Sequence, residues 1–156
     1  MILAHLPSGY LLARGAGHRR GVMLTAALLG AVLPDFDMIW FWFVDHSVHH
    51  HRFWPHIPAV WAGIAAITLP LAHKLRPAWF APLAMGFAGV LLHLILDTWV
   101  GDVMWLWPYS DTFIHLFTVP ATQSHWVLSF LLHWTALAEL AVILAAALVF
   151  FRTERA

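Results

Sequence analysis

AWFAPLAMGFAGVLLHLILD occupies residues 78 to 97. Twenty residues of helix, at 1.5 Å each, cover about 30 Å, the thickness of a bilayer's hydrocarbon core. The stretch carries no Lys, Arg or Glu, and its ionisable side chains, His93 and Asp97, both fall at its C-terminal end. It reads as a membrane-spanning helix. Four residues apart on that helix, His93 and Asp97 share a face one turn apart. Ionisable groups at membrane depth are costly and usually functional. Gly86 and Gly89 in the same stretch permit close helix packing.

The rest of the chain agrees. Its 156 residues allow one domain, 1–156. They are 62% hydrophobic and 10% charged, with a mean hydropathy of +0.76, far from the composition of soluble domains. The formal net charge is zero, which gives a nucleic-acid partner no electrostatic support. Cysteine is absent, so a metal site must draw on His, Asp and Glu, a set that suits zinc, manganese or iron.

Upstream of residue 78 lies a tight connector with His73, Lys74, Arg76 and Pro77, and before it a second span over 57–72. A first span over 22–44 is interrupted by Pro34-Asp35-Phe36-Asp37, because proline breaks the hydrogen-bond ladder and restricts the residue before it. Residues 14–21 are basic. Residues 1–13 are too short to cross a bilayer, no basic residue precedes them, and RGAGHRRG is a poor cleavage region, which argues against a signal peptide. They read instead as a re-entrant half-helix with Pro7 in its first turn, bringing His5 toward Asp35. Downstream, 98–125 reads as a long interfacial loop set about with Trp99, Trp105, Trp107 and Trp126. Residues 126–151 form a fourth span. The expected fold is therefore an all-α integral membrane bundle of about four transmembrane helices, with a broken first span, an N-terminal re-entrant helix and a long interfacial loop.

Seven of the eight Lys and Arg residues, Arg14, Arg19, Arg20, Lys74, Arg76, Arg152 and Arg155, fall on one side of this arrangement, against Arg52 on the other. The positive-inside rule then places the N-terminal basic loop and the C-terminus in the cytoplasm.

On the outer side lies HSVHHHRFWPH, residues 46–56, with five of the twelve histidines. A His-rich tract reads as metal-binding, and with Asp35, Asp37, His93 and Asp97 it forms one expected site. The bland alternatives are that Asp35 and Asp37 cap the following helix and that Asp97 merely bonds a structural His93. His46, His49 and His50 would support the ligands, hold a second ion or sit at the interface. His115 and His125 could cap the site. His133 and Glu139 read as packing against polar neighbours. Arg52 would meet a phosphate or carboxylate, or else Asp45 or a lipid headgroup.

The order His5, LPDFD, HR-x-x-x-H, HLILD, with Gly101 and Pro108, resembles the YdjM-like family of membrane-bound, metal-dependent hydrolases over about residues 3 to 108. The common form of that family's middle motif is similar to His-Arg-Gly-x-Thr-His; here Phe53 and Pro55 replace the Gly and Thr. The resemblance implies metal ligation by His5, Asp35, Asp37, His51, His56, His93 and Asp97. Asp37, Arg52 and His56 are the candidate catalytic residues. It also implies a distant likeness to zinc-dependent phospholipase C, and hence a divalent metal, zinc first and Mn2+ or Fe2+ next, acting on a phosphoester such as a lipid at a bacterial-type inner membrane. The partners expected are membrane lipid and such a substrate, with no nucleic acid. A non-enzymatic divalent-metal-binding or transport protein uses the same ligands, and a bis-His haem protein would use His93 and His133.

Overall fold

The computed structural model describes residues 3–44, 47 and 50–154. The roles considered for Asp45, His46, His49 and Arg155 lie outside the described residues, as does the side chain of His50. The described chain is helical: α1 His5–Gly15, α2 Val22–Val32, α3 Asp37–Phe43, α4 Pro58–Leu75, α5 Pro77–Asp97, α6 Trp126–Leu131 and α7 Ala136–Glu154. Short 3-10 turns at Pro34–Phe36, His50–Arg52 and Trp54–His56 connect them. Between α5 and α6 the chain has no helix and pairs only at an isolated bridge, Val103 with Ile114.

Proline sets several boundaries. Pro58 and Pro77 open α4 and α5, at positions where a missing N–H costs nothing. Pro34 ends α2, and the segment that follows is bent 53° from it, as a broken first span requires. Pro70 behaves differently: α4 continues past it to Leu75. α5, at 21 residues and a mean hydropathy of 1.9, is long and apolar enough to cross a membrane. α2 with residues 34–43 passes the same test only as a bent pair. Among the described residues, the four expected spans thus reduce to one clear span and one bent pair.

The expected fourth span is not one helix. It splits into α6 and α7 at residues 132–135. The split has a local cause. Trp134 packs edge-on against Phe117, with centroids 4.8 Å apart, and near Trp99. The carbonyl of Thr135 accepts a 3.3 Å hydrogen bond from Trp99 Nε1. The aromatic residues of the 98–125 loop thus turn this segment toward themselves.

Small residues seat the helices. Gly30 of α2 lies against the Gly86 carbonyl of α5 so closely that a Cβ would collide with backbone. A Cβ on Gly89 would stand 2.7 Å from Ala27 O, and one on Gly9 of α1 would stand 2.7 Å from Ala31 Cβ. Gly86 and Gly89 therefore do what the sequence implied. α1, α2 and α5 form the packed centre around buried Ala27, Ala31, Val90 and Leu94. The outer faces are apolar and exposed. α4 has no buried residue at all, and Ile67 of α4 and Leu144 and Leu148 of α7 face outward. Such faces call for an apolar surrounding.

Helix direction sorts the charges. α1 runs from His5 to Arg14, α4 ends in His73 and Lys74, α5 begins after Arg76, and Arg152 lies in the last turn of α7. α7 lies alongside α1, with Leu3 N bonded to Glu139 Oε1 at one end and Tyr10 near Phe150 toward the other. The cations of these four helices gather at one end of the bundle; His5, His93 and Asp97 lie at the opposite end.

Candidate metal centre

Four segments deliver side chains to that end. α5 supplies His93 and Asp97 from successive turns of one face. The close seat of α2 on α5 brings the Ala31 carbonyl to His93 and carries Asp35 past the helix end. α1 begins at His5, so its first residue faces the cluster, and His5 Nε2 lies 3.1 Å from Asp97 Oδ1. The connector folds His51 and His56 in from two short turns.

The histidines are oriented alike. His93 Nδ1 lies 2.8 Å from Ala31 O, His51 Nδ1 lies 2.8 Å from Asp102 O, and His56 Nδ1 lies 2.6 Å from Asp37 Oδ2. A ring nitrogen facing a carbonyl must carry the proton, so the other nitrogen presents its lone pair. All three Nε2 atoms turn to the same space. His93 Nε2 is 3.1 Å, His56 Nε2 3.5 Å and His51 Nε2 3.7 Å from Asp97 Oδ2. His56 and His93 Nε2 are each 3.7 Å from Asp35 Oδ1 and 3.4 Å from one another. The rings stack, His5 on His93 at 3.8 Å and His51 on His56 at 4.3 Å.

Lone pairs and carboxylate oxygens thus converge in a buried space, an arrangement that repels itself unless a cation lies among them. Two groups of atoms have the spacing to hold an ion: His5, Asp35, His93 and Asp97, and His51, His56 and Asp97. Asp97 belongs to both. The residues also fit a metal on a second ground. His5 is buried, yet its Nδ1 has no partner among the described residues and its Nε2 faces Asp97 Oδ1 without hydrogen-bond geometry. A buried imidazole without a partner is costly, and ligation of an ion removes the cost. Supplied with protons alone, the cluster takes its positive charge on His56. Burial works against the charged ring, but hydrogen bonds to Asp35, Asp37 and Asp97 outweigh it and push the pKa from 6.5 up to about 10.

Of the residues singled out in the sequence, His5, Asp35, His51, His56, His93 and Asp97 are brought together. Asp37 stands one step outside. It is in neither group of ligand atoms and instead holds His56 from behind, as a carboxylate commonly does for a metal-bound histidine. The segment is a 3-10 turn rather than extended, and Asp35 and Asp37 approach opposite nitrogens of the His56 ring. Arg52 is exposed, lies over the Phe113 ring at 5.2 Å and has no ion pair among the described residues. His115 bonds Asp102 and Thr118, and His125 caps α6 by accepting from Val127 N; neither reaches the cluster. His133 bonds Thr135, which leaves His93 without the axial partner a haem would need.

Sequence reasoning missed the carbonyls of Ala31 and Asp102, because every residue carries such an oxygen. Gly101 was visible as a motif position, and its purpose is steric. A Cβ there would stand 2.7 Å from His51 Cε1. Phe53 and Pro55 keep the turn closed through the His56 N to Phe53 O bond of 3.0 Å, so the departures from the common motif leave His56 in place.

The family model described as YdjM inner membrane protein matches residues 1–155. Neither a curated protein nor a solved structure matches the chain.

Proposed function

The chain belongs to the YdjM inner membrane protein family, and on that premise we propose that it is a membrane-bound, metal-dependent hydrolase acting on a phosphoester. The observation that carries this reading is the convergence of three correctly oriented Nε2 atoms and two carboxylates on one buried space. His5, Asp35, His93 and Asp97 would hold one divalent ion, and His51, His56 and Asp97 a second. The neutral imidazole and carboxylate donors suit zinc, with Mn2+ or Fe2+ next. When bound, such an ion supplies Lewis acidity, polarising a phosphoryl oxygen and easing the ionisation of water.

The chain's own residues supply the rest. With the first group alone loaded, an ion on Asp35 and Asp97 would draw off two of the carboxylates that otherwise keep His56 protonated, and His56, its ring fixed by Asp37, would then take the proton of the attacking water. The water oxygen bonds to phosphorus as the ester P–O bond breaks, and the leaving oxygen takes up the proton that His56 received, which restores the base. Arg52 offers a guanidinium to a phosphate oxygen. α4 and α7, with α5 and the bent α2–α3 pair, complete a bundle of about four spans. The basic end faces the cytoplasm and the cluster faces outward at the membrane surface.

Metal analysis of protein purified in detergent tests the proposal. At least one equivalent of metal per chain is expected. A chelator should remove it together with release of the alcohol or phosphate from phosphoester vesicles, and zinc should restore both. Protein without stoichiometric metal, whose content His93→Ala leaves unchanged, would refute the reading.

A further inference from the structure

Beside the cluster lies a second feature that metal ligation does not use. A cavity of about 590 Å3 is lined by Leu33, Phe36, Trp40, Phe53, Trp54 and Trp61, with Asp37 in its wall. Its size falls within the range of small-molecule sites, roughly 300–1,000 Å3, and its lining is almost wholly apolar. Phe36, Trp40 and Trp54 are more than half exposed, so the cavity opens sideways rather than being sealed in the core. Trp61 Nε1 donates to Pro55 O at 2.7 Å, which fixes one wall. Pro55 and Phe53 are the two positions at which the middle motif departs from its common form, and both face this cavity.

The cavity and the cluster share a partition. Asp37 lines the cavity, and its Oδ2 lies 2.6 Å from His56 Nδ1. Arg52 lies in sequence between His51 of the cluster and Phe53 of the cavity, exposed and without an ion pair among the described residues. An apolar slot, an exposed cation next in sequence to Phe53 of its wall and a metal-binding cluster behind that wall together match an amphiphile with an anionic phosphate and a hydrocarbon tail. For an inner membrane protein, the bilayer itself supplies that molecule.

We propose that the cavity bounded by residues 33–36, α3, the 53–56 turn and α4 is the tail site for a phosphate-bearing membrane lipid, seating one acyl chain so that its phosphate meets Arg52 and the His/Asp cluster. This rests on the hydrolase reading for its purpose, but its test does not depend on turnover.

The full chain is reconstituted in phosphatidylcholine vesicles containing a little phosphatidic acid with a photoactivatable diazirine in one acyl chain. Adducts are mapped by peptide mass spectrometry. Labelling of residues 33–40 and 53–61 should exceed that of the outward face of α4 around Ile67 and Leu71 several-fold, and excess unlabelled phosphatidic acid should compete it away. Diacylglycerol carrying the same diazirine should label the site several-fold less, because it lacks the phosphate. Leu33→Trp, which fills the cavity, should abolish the excess; the wild-type map decides the matter even if that variant fails to fold. Labelling spread evenly over the exposed helices, or equal labelling by the phosphate-free lipid, overturns the tail site. Saturable labelling with no ester cleavage supports the tail site and sinks only the hydrolase. Cleavage of a water-soluble phosphoester with even labelling does the reverse.

Discussion

Asp97 offers one carboxylate to two sets of histidines: Oδ1 lies 3.1 Å from His5 Nε2 of one, and Oδ2 lies 3.5 Å from His56 Nε2 of the other. Because Asp97 belongs to both groups of ligand atoms while Asp35 belongs to one, the two carboxylates should differ in effect. Asp97→Asn should empty the site entirely. Asp35→Asn and His51→Ala should each leave part of the metal bound. Metal-to-protein ratios of the purified variants check this; equal losses for all three would contradict the shared role of Asp97.

Asp37 is expected to behave as a support. It bonds His56 Nδ1 and touches neither group of ligand atoms. Asp37→Asn should therefore retain the metal with affinity lowered about 10- to 100-fold, the usual cost of losing such a partner. Chelator titration of the purified variant measures it. A complete loss of metal at any accessible concentration would make Asp37 a ligand after all.

Much of this site is legible in the sequence, and the reason is chemical. In a chain with few charges, His93 and Asp97 at the end of an apolar run and Asp35 beside a proline are conspicuous, because each is expensive there. The helix bend at Pro34 and the close packing at Gly86 and Gly89 follow from residue types alone. What was not legible depends on distant contacts. The division of the 126–151 run is set by Trp99 and Phe117, more than fifteen residues away, and hydropathy does not record it. The difference between Asp35 and Asp37 is likewise a matter of which nitrogen of His56 each reaches, and spacing cannot distinguish them.

The glycine contacts predict stability. Gly30→Ala forces a methyl into the Gly86 backbone, which cannot yield as a side chain would. Overpacking of this kind costs about 1–3 kcal/mol or more, and the apparent Tm in detergent should fall clearly. Gly63, inside α4 with open space within 4 Å of where a methyl would stand, is the control. Gly63→Ala should leave Tm unchanged or raise it, since alanine restricts the unfolded chain. A similar fall in both variants would mean that α2 and α5 do not meet through Gly30 and Gly86.

Gly101 links the long loop to the metal centre. Its Cα passes so near the His51 ring that a Cβ would meet Cε1 at 2.7 Å and Asp97 O at 2.9 Å. The neighbouring ring atom, His51 Nδ1, is held by the Asp102 carbonyl at 2.8 Å, so a retreat of the ring from Gly101 strains that bond. Gly101→Ala should displace His51 and weaken the group formed by His51, His56 and Asp97. The group that includes His5 and His93, of which Gly101 meets only the backbone oxygen of Asp97, should persist. The expected result is a folded protein with a reduced metal ratio, resembling His51→Ala. Adding His51→Ala to Gly101→Ala should lower the ratio no further. An additive loss in the double variant would show that Gly101 acts elsewhere, through the α5 terminus rather than through His51.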